Sequence, residues 1–306
     1  ALYAGDGGDE LQLLLQRMAD PRTRIVTLTV TEKGYYLSPT TGQLRLQDPA
    51  IVHDLANPQA PRTAPGIVLE ALRRRYEAGI PAFTVLCCDN MPDNGQRTRQ
   101  AVSGLAAAHN RELAQWIDQQ VAFPGCMVDR IVPGTTDATR ARVRELLGVT
   151  DAIPVPAERF SMWVIEDKFA AGRPAWEEGG AIFSDEVEKY ELVKLRLLNG
   201  GHSLIAYLGG LDRQETIPDS RAQQFIADAT RQALEVDYLP SIDLPANFDP
   251  QEYIDSLFRR WSNTVLGDKT SRVGSDGSTK LLQRVPIPAL TALAQGRMPE
   301  QLALTV

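Results

Sequence analysis

Lys194, Asn199 and His202 stand in an otherwise apolar run, EKYELVKLRLLNGGHSLIAY (188–207). A lysine among leucines costs free energy unless it is paired, neutralised or put to chemical use, so this stretch is the place to look for chemistry. At 100° per residue, a helix over the run sets Glu191, Lys194, Asn199 and His202 within an arc of roughly 140°, close enough to share one site. Gly200 and Gly201 could bend the helix just before the histidine. A purely structural reading accounts for the same spacing: Lys194 snorkels to solvent, Asn199-Gly200 caps a helix C-terminus, and His202 is a satisfied core residue. Spacing alone leaves both readings open.

The elements around this run fall into two patterns. The first half alternates β-rich runs with helical ones, as βαβ units of a parallel sheet do. Strands are expected at 24–30, 82–88 and 127–132, and helices at about 66–78 and 96–120. The strands end in polar residues (Glu32-Lys33-Gly34, Asp89-Asn90 and Asp129-Arg130), and ligands of such sheets bind beyond the strands' carboxyl ends. After the proline-bearing segment 151–160, helical periodicity dominates at 183–208, 220–236 and 251–262. The expected organisation is an α/β Rossmann-like domain over 1–156 and a mostly α-helical domain over 157–306. A dinucleotide-binding sheet should open with a strand running into G-x-G-x-x-G, and no such fingerprint is present; AGDGGDE (4–10) has the wrong spacing and no preceding strand.

Composition narrows the function classes. With 306 residues, 43% hydrophobic, the chain can build real cores. Its formal charge of -7 repels a polyphosphate backbone, which argues against nonspecific nucleic-acid binding and leaves small molecules as partners. Three cysteines without a C-x-x-C pair make neither a disulfide framework nor a zinc site, and suggest a reducing, cytoplasmic setting. No run is long and apolar enough for a membrane span, and the start lacks the features of a signal peptide. His53 and His109 lack ligand-like spacing, so no metal is expected. Glu166 and Asp167 are adjacent and suit an ion-pair role better than acid/base work; Cys87 and Cys88 end an apolar strand and read as core.

KLRLLNGGH (194–202) resembles the lysine, asparagine, histidine signature of the polyol-specific long-chain dehydrogenases, the family of mannitol 2-dehydrogenase, fructuronate reductase and arabinitol dehydrogenase. TLTVTEKGYY (27–36), FTVLCCDNMPDNG (83–95), MVDRIVP (127–133), WVIEDKFAAGRPAW (163–176) and SDGSTK (275–280) agree in the same order. Members of that family carry a glycine-rich loop before the matching region and further residues after it, so the sequence is expected to be truncated at both ends relative to them.

The resemblance implies metal-independent hydride transfer between NAD, or NADP, and a secondary alcohol of an open-chain sugar derivative. Such a reaction needs a base for the alcohol proton and donors for the developing alkoxide. Lys194 is the implied base, its pKa lowered by burial between domains, with Asn199 and Asn90 as oxyanion donors and His202 orienting a hydroxyl. Asp129, Arg272 and Lys280 match substrate-binding positions. Glu191 would relay the proton outward or merely form an ion pair. Glu32, Lys33 and Gly34 are expected at the cofactor, Gly34 for close backbone approach or simply as a turn glycine.

Within the family the choice lies between an aldonate, D-mannonate/D-fructuronate, and an uncharged polyol. TVTEKGYY and KLRLLNGGHSLIAYLG are closer to the fructuronate reductases, Arg272 to the polyol enzymes. A substrate carboxylate needs a cation, which Arg272 or Arg130 could supply. D-mannonate is the favoured substrate, with mannitol or arabinitol as alternatives. A sugar-binding or scaffold protein without the cofactor loop is the reading from a different class.

Overall fold

The computed structural model describes residues 9–306. The AGDGGDE segment falls largely outside the described residues. The chain forms two compact units: one comprises residues up to Val128 plus Met162–Glu188, the other Asp129–Ser161 plus Lys189–Val306.

The first unit is Rossmann-like. Strands β1 (Ile25–Leu28) and β2 (Thr84–Cys87) pair in parallel, Ile25 opposite Thr84 and Leu28 opposite Cys87. The third expected strand is β3 (Cys126–Asp129), which forms a second sheet with β4 (Met162–Ile165) and β5 (Ile182–Phe183) in the order β3-β4-β5. All four residues of β2 are buried, as an unbroken apolar run requires. Helices cover the sheet with one apolar stripe each: Leu11 and Leu15 from Asp9–Ala19, Val68 and Leu72 from Ala64–Glu77, and Val102 and Leu105 from Asn94–His109. Each such leucine or valine, fully buried, contributes about 1.5–3 kcal/mol. The continuous helix expected at 96–120 is instead two helices, Asn94–His109 and Arg111–Gln120. Asn110 makes the break: extended itself, it accepts hydrogen bonds from the amides of Glu112 (2.9 Å) and Leu113 (3.1 Å) and so caps a new helix.

The second unit is helical. The helix expected from residue 183 begins at Val187, after β5, and runs as an α-helix to Val193, as a π-helix through Lys194–Gly200, and as an α-helix again through Gly201–Leu211. A second π segment, Ala233–Tyr238, continues helix Gln224–Gln232. Helix Pro250–Trp261 is capped by Asp249, whose side chain accepts from the amides of Gln251 and Glu252, and it buries Ile254, Leu257 and Trp261. Helix Gly277–Arg284 follows later in the chain. Residues 130–158 make an excursion whose helix, Asp137–Leu147, buries no residue. The base of the excursion is closed: the Ile131 amide donates to Glu158 Oε1 at 2.7 Å, Glu158 N to the Ile131 carbonyl at 3.1 Å, and Arg130 Nε to the Glu158 carbonyl at 2.9 Å.

Candidate active site

Lys194 is the first residue of the π segment and is only 8% exposed. In an α-helix, residues five apart diverge by roughly 140°. The wider π turn, with its i→i+5 bonds, brings Asn199 back toward the face that Lys194 occupies. The wheel drawn at 100° per residue is therefore wrong for this stretch, and it overstates the divergence of the two residues. The helix-cap reading of Asn199-Gly200 also fails, because both glycines are helical (φ −62° at Gly200, −58° at Gly201) and the helix continues to Leu211.

A π turn of this length is uncommon and needs outside support. The two glycines provide part of it by allowing aromatic rings to come close. A Cβ on Gly200 would stand 2.5 Å from Tyr238 Cζ, and one on Gly201 would stand 2.6 Å from Trp261 Cη2. Within the segment, Arg196 is buried and donates to the carbonyl and hydroxyl of Ser241.

His202 follows directly and is half-buried, its ring 5.4 Å from that of Trp261. Burial lowers its imidazole to about 3; the charges of Arg260, Arg284 and Arg272 push the same way, against Asp129. The ring is thus neutral across the physiological range, with one N–H donor and one acceptor nitrogen. A charge-neutral imidazole can orient a hydroxyl without competing for the reacting proton.

Asp129 ends β3 and is fully engaged. Its carboxylate takes Arg260 Nη2 at 2.6 Å on one oxygen, and Arg260 Nη1 at 3.0 Å and the Tyr253 hydroxyl at 3.1 Å on the other. Arg260 also reaches Glu158 (Nη2 to Oε1, 2.8 Å), and all three charged groups are buried. Arg272 is exposed, its side chain 59% accessible and paired with Asp268 one turn earlier. Lys280 Nζ donates to the Val273 carbonyl at 3.2 Å, and burial, with the nearby charge of Arg284, pulls its ammonium below the ordinary lysine range. Glu191 is half-buried on the α-helical turn before Lys194. Arg130, the other candidate for a carboxylate, is exposed and turned to the Glu158 carbonyl.

The remaining candidates lie in the first unit. Glu32, Lys33 and Gly34 form a single 3₁₀ turn just after β1, flanked by Thr31 and Tyr36 at positive φ (66° and 55°). Asp89, at the end of β2, holds this turn: its carboxylate accepts from the amides of Val30 (3.0 Å) and Thr31 (2.8 Å) and from the Tyr35 hydroxyl (2.5 Å). Glu32 and Lys33 are exposed, and Glu32 pairs with Arg97 at 3.3 Å. A Cβ on Gly34 would meet Val30 Cγ2 at 3.0 Å, so the glycine makes room for its own loop. Asn90 is exposed beyond β2.

Other residues take the structural roles expected of them. Glu166 accepts from the Gly125 amide at 2.8 Å and pairs with Lys168, while Asp167 pairs with Arg173. Both lie in the turn after β4 and not on a helix. Cys87 is buried, whereas Cys88, expected beside it in the core, is only partly buried. Two arginines were not singled out from the sequence. Arg284 donates to the Asn199 carbonyl (2.9 Å) and to Ser203 Oγ (2.7 Å). Its position four residues after Lys280 on a short helix was the available signal. Arg260 had none, since its partners lie 131 and 102 residues away.

Residues 3–178 match the mannitol dehydrogenase Rossmann domain and residues 186–306 the mannitol dehydrogenase C-terminal domain. The chain is 44% identical to D-mannonate oxidoreductase of Escherichia coli K12 over 97% of its length and 61% of the relative's. It is 42% identical to mannitol 2-dehydrogenase of Cereibacter sphaeroides over 95% and 61%. Among solved structures, substrate-free D-sorbitol dehydrogenase superimposes with a TM-score of 0.91 at 37% identity, covering 96% of this chain and 61% of that one. Mannitol 2-dehydrogenase of Pseudomonas fluorescens, in ternary complex with NAD and D-mannitol, gives 0.85 at 41%, covering 96% and 60%. The chain thus spans about three fifths of the length of the curated relatives it matches.

Proposed function

From the premise that this chain belongs to the mannitol dehydrogenase family, we propose that the protein oxidises a secondary alcohol of an open-chain sugar acid, D-mannonate, to the ketone with a nicotinamide dinucleotide, NAD by preference. The observation that carries the proposal is the burial of Lys194 at the head of a π turn that returns Asn199 to its face.

Lys194 Nζ takes the hydroxyl proton. Acting as a base at neutral pH requires that the amine be held neutral there. The Asn199 side-chain amide donates to the oxygen as negative charge develops on it, and Asn90 is assigned the second donor role. His202, uncharged, orients a neighbouring hydroxyl, while Glu191 passes the proton outward. Lys280 and Arg272 bind the distal part of the substrate, Arg272 at its carboxylate; Asp129 acts there through the Arg260 and Tyr253 groups that it holds. The first unit suits a dinucleotide: β1 and β2 are parallel and neighbours, and both end in polar turns, with Glu32, Lys33 and Asn90 exposed. Lys33 and the Glu32–Gly34 backbone would hold the cofactor, whose nicotinamide supplies the hydride acceptor.

The test compares oxidation of D-mannonate and mannitol by the full-length protein and its Lys194→Ala variant. The expected result is preference for mannonate and a loss of about 10²–10⁴ in kcat without the lysine. A preference for mannitol above about tenfold overturns the substrate assignment, and a Lys194→Ala variant with near-normal kcat overturns the mechanism.

A further inference from the structure

We infer that Arg284 is a positioning residue, a clamp that fixes the peptide of Asn199 and the side chain of Ser203 and so holds the π turn in the register that aligns Lys194 with Asn199. The inference rests on the proposed function for its catalytic consequence, but the clamp itself stands on geometry. One guanidinium nitrogen donates to both groups, to the Asn199 carbonyl at 2.9 Å and to Ser203 Oγ at 2.7 Å. The arginine comes from helix Gly277–Arg284, which carries Lys280 one turn earlier, so the bonds tie two candidate-bearing elements together.

Burial makes this arrangement expensive if it serves no purpose. Arg284 Nε is buried without a hydrogen-bond partner, so the guanidinium is only partly satisfied. A guanidinium stays protonated even in such surroundings. A half-buried, incompletely satisfied cation is a poor source of stability, whereas a planar guanidinium whose Nη1 hydrogens point in fixed directions holds a peptide in place better than a freely rotating lysine ammonium does. The carbonyl it holds belongs to a π segment, the least self-sufficient part of the helix.

The same charge reaches the groups beside it. His202 senses Arg284 together with Arg260, Arg272 and the opposing Asp129. Lys280 senses it together with Arg272 and the opposing Asp276. Removing the guanidinium therefore changes both a geometry and a field, and two variants separate them. Arg284→Gln removes both; Arg284→Lys keeps the charge and loses the fixed donor directions of the planar guanidinium.

The experiment measures kcat, KM and the titration of the His202 ring by NMR on the full-length protein. For Arg284→Gln we expect kcat to fall at least about tenfold with the cofactor KM unchanged, and the His202 titration to move to higher pH. For Arg284→Lys we expect kcat to fall while the His202 titration stays near that of the wild type. If Arg284→Gln does not fold, the lysine variant decides, and its retention of full kcat overturns the clamp. An unchanged His202 titration and kcat within about twofold in Arg284→Gln overturn it as well. A wild-type protein inactive on polyols and aldonates refutes the proposed function instead, and amide exchange at Asn199 and Ser203 then tests the clamp: faster exchange in Arg284→Gln supports it, unchanged exchange refutes it.

Discussion

Gly201→Ala adds one methyl group at the point where the π turn returns to α-helix, and its effect can be worked out from two opposing terms. The backbone at Gly201 is ordinary right-handed helix (φ −58°, ψ −40°), so alanine's intrinsic preference favours the variant by about 1 kcal/mol. Against this, the new Cβ would stand 2.6 Å from Trp261 Cη2, 3.2 Å from its Cζ2 and 3.3 Å from Leu234 Cδ2. Trp261 is 1% exposed and Leu234 fully buried, so neither can move aside without disturbing the core. Overpacking of this kind costs about 1–3 kcal/mol. Gly210 lies on the same helix, exposed and with nothing within 4 Å of a built Cβ, so Gly210→Ala carries the propensity term alone. The difference between the two variants isolates the close approach and should be about 1–3 kcal/mol, with Gly201→Ala the less stable. Urea unfolding followed by tryptophan fluorescence measures it. Equal midpoints for the two variants would refute the view that the glycine is there to admit the tryptophan. Because His202 is the next residue and rests against the same ring, Gly201→Ala should also lower kcat/KM, which Gly210→Ala should not.

Arg260→Leu leaves the buried carboxylates of Asp129 and Glu158 facing each other without a cation and should cost about 3–5 kcal/mol, seen as a large drop in Tm; Arg260→Leu combined with Asp129→Asn should recover part of it. The folded-state pKa of His202, about 3, lies below the 6.5 of an unperturbed histidine, so the unfolded chain takes up the proton first as the pH falls. The contribution is intact above about 6.5 and lost progressively toward 3; His202→Asn should flatten that part of a Tm-against-pH curve, and an unchanged slope would count against the half-buried, neutral ring. Asp89→Ala removes three hydrogen bonds to the turn after β1 and should weaken cofactor binding more than it lowers kcat, as measured by NADH titration.

Elements that carry their own signal were legible in the sequence. The β2 run is apolar throughout and bounded by polar residues, and helix Pro250–Trp261 shows its stripe and its capping aspartate. Lys194 could be suspected from composition alone, because a charge amid leucines is anomalous wherever it falls. The π turn could not be read, since a wheel drawn at α-helical pitch presupposes the geometry it tests. The Asn110 break was visible as a capping residue but lost inside a long helical pattern. Gly200 and Gly201 looked like a bend because glycine usually marks one; their reason lies in Tyr238 and Trp261, far along the chain. Short strands β4 and β5 escaped for a similar reason, as their pairing partners and not their own periodicity make them strands. The Arg260 network is a matter of tertiary arrangement only.

The closed base of the 130–158 excursion has a practical meaning for protein engineering. Its two ends are stitched to each other at Ile131 and Glu158, and the intervening helix contributes nothing to the interior. New chain termini opened near Gly148, where the backbone is exposed and left-handed, would leave Asp129 and Glu158 each anchored to Arg260. This segment is therefore the natural place to insert a reporter domain while leaving the candidate catalytic helix covalently intact.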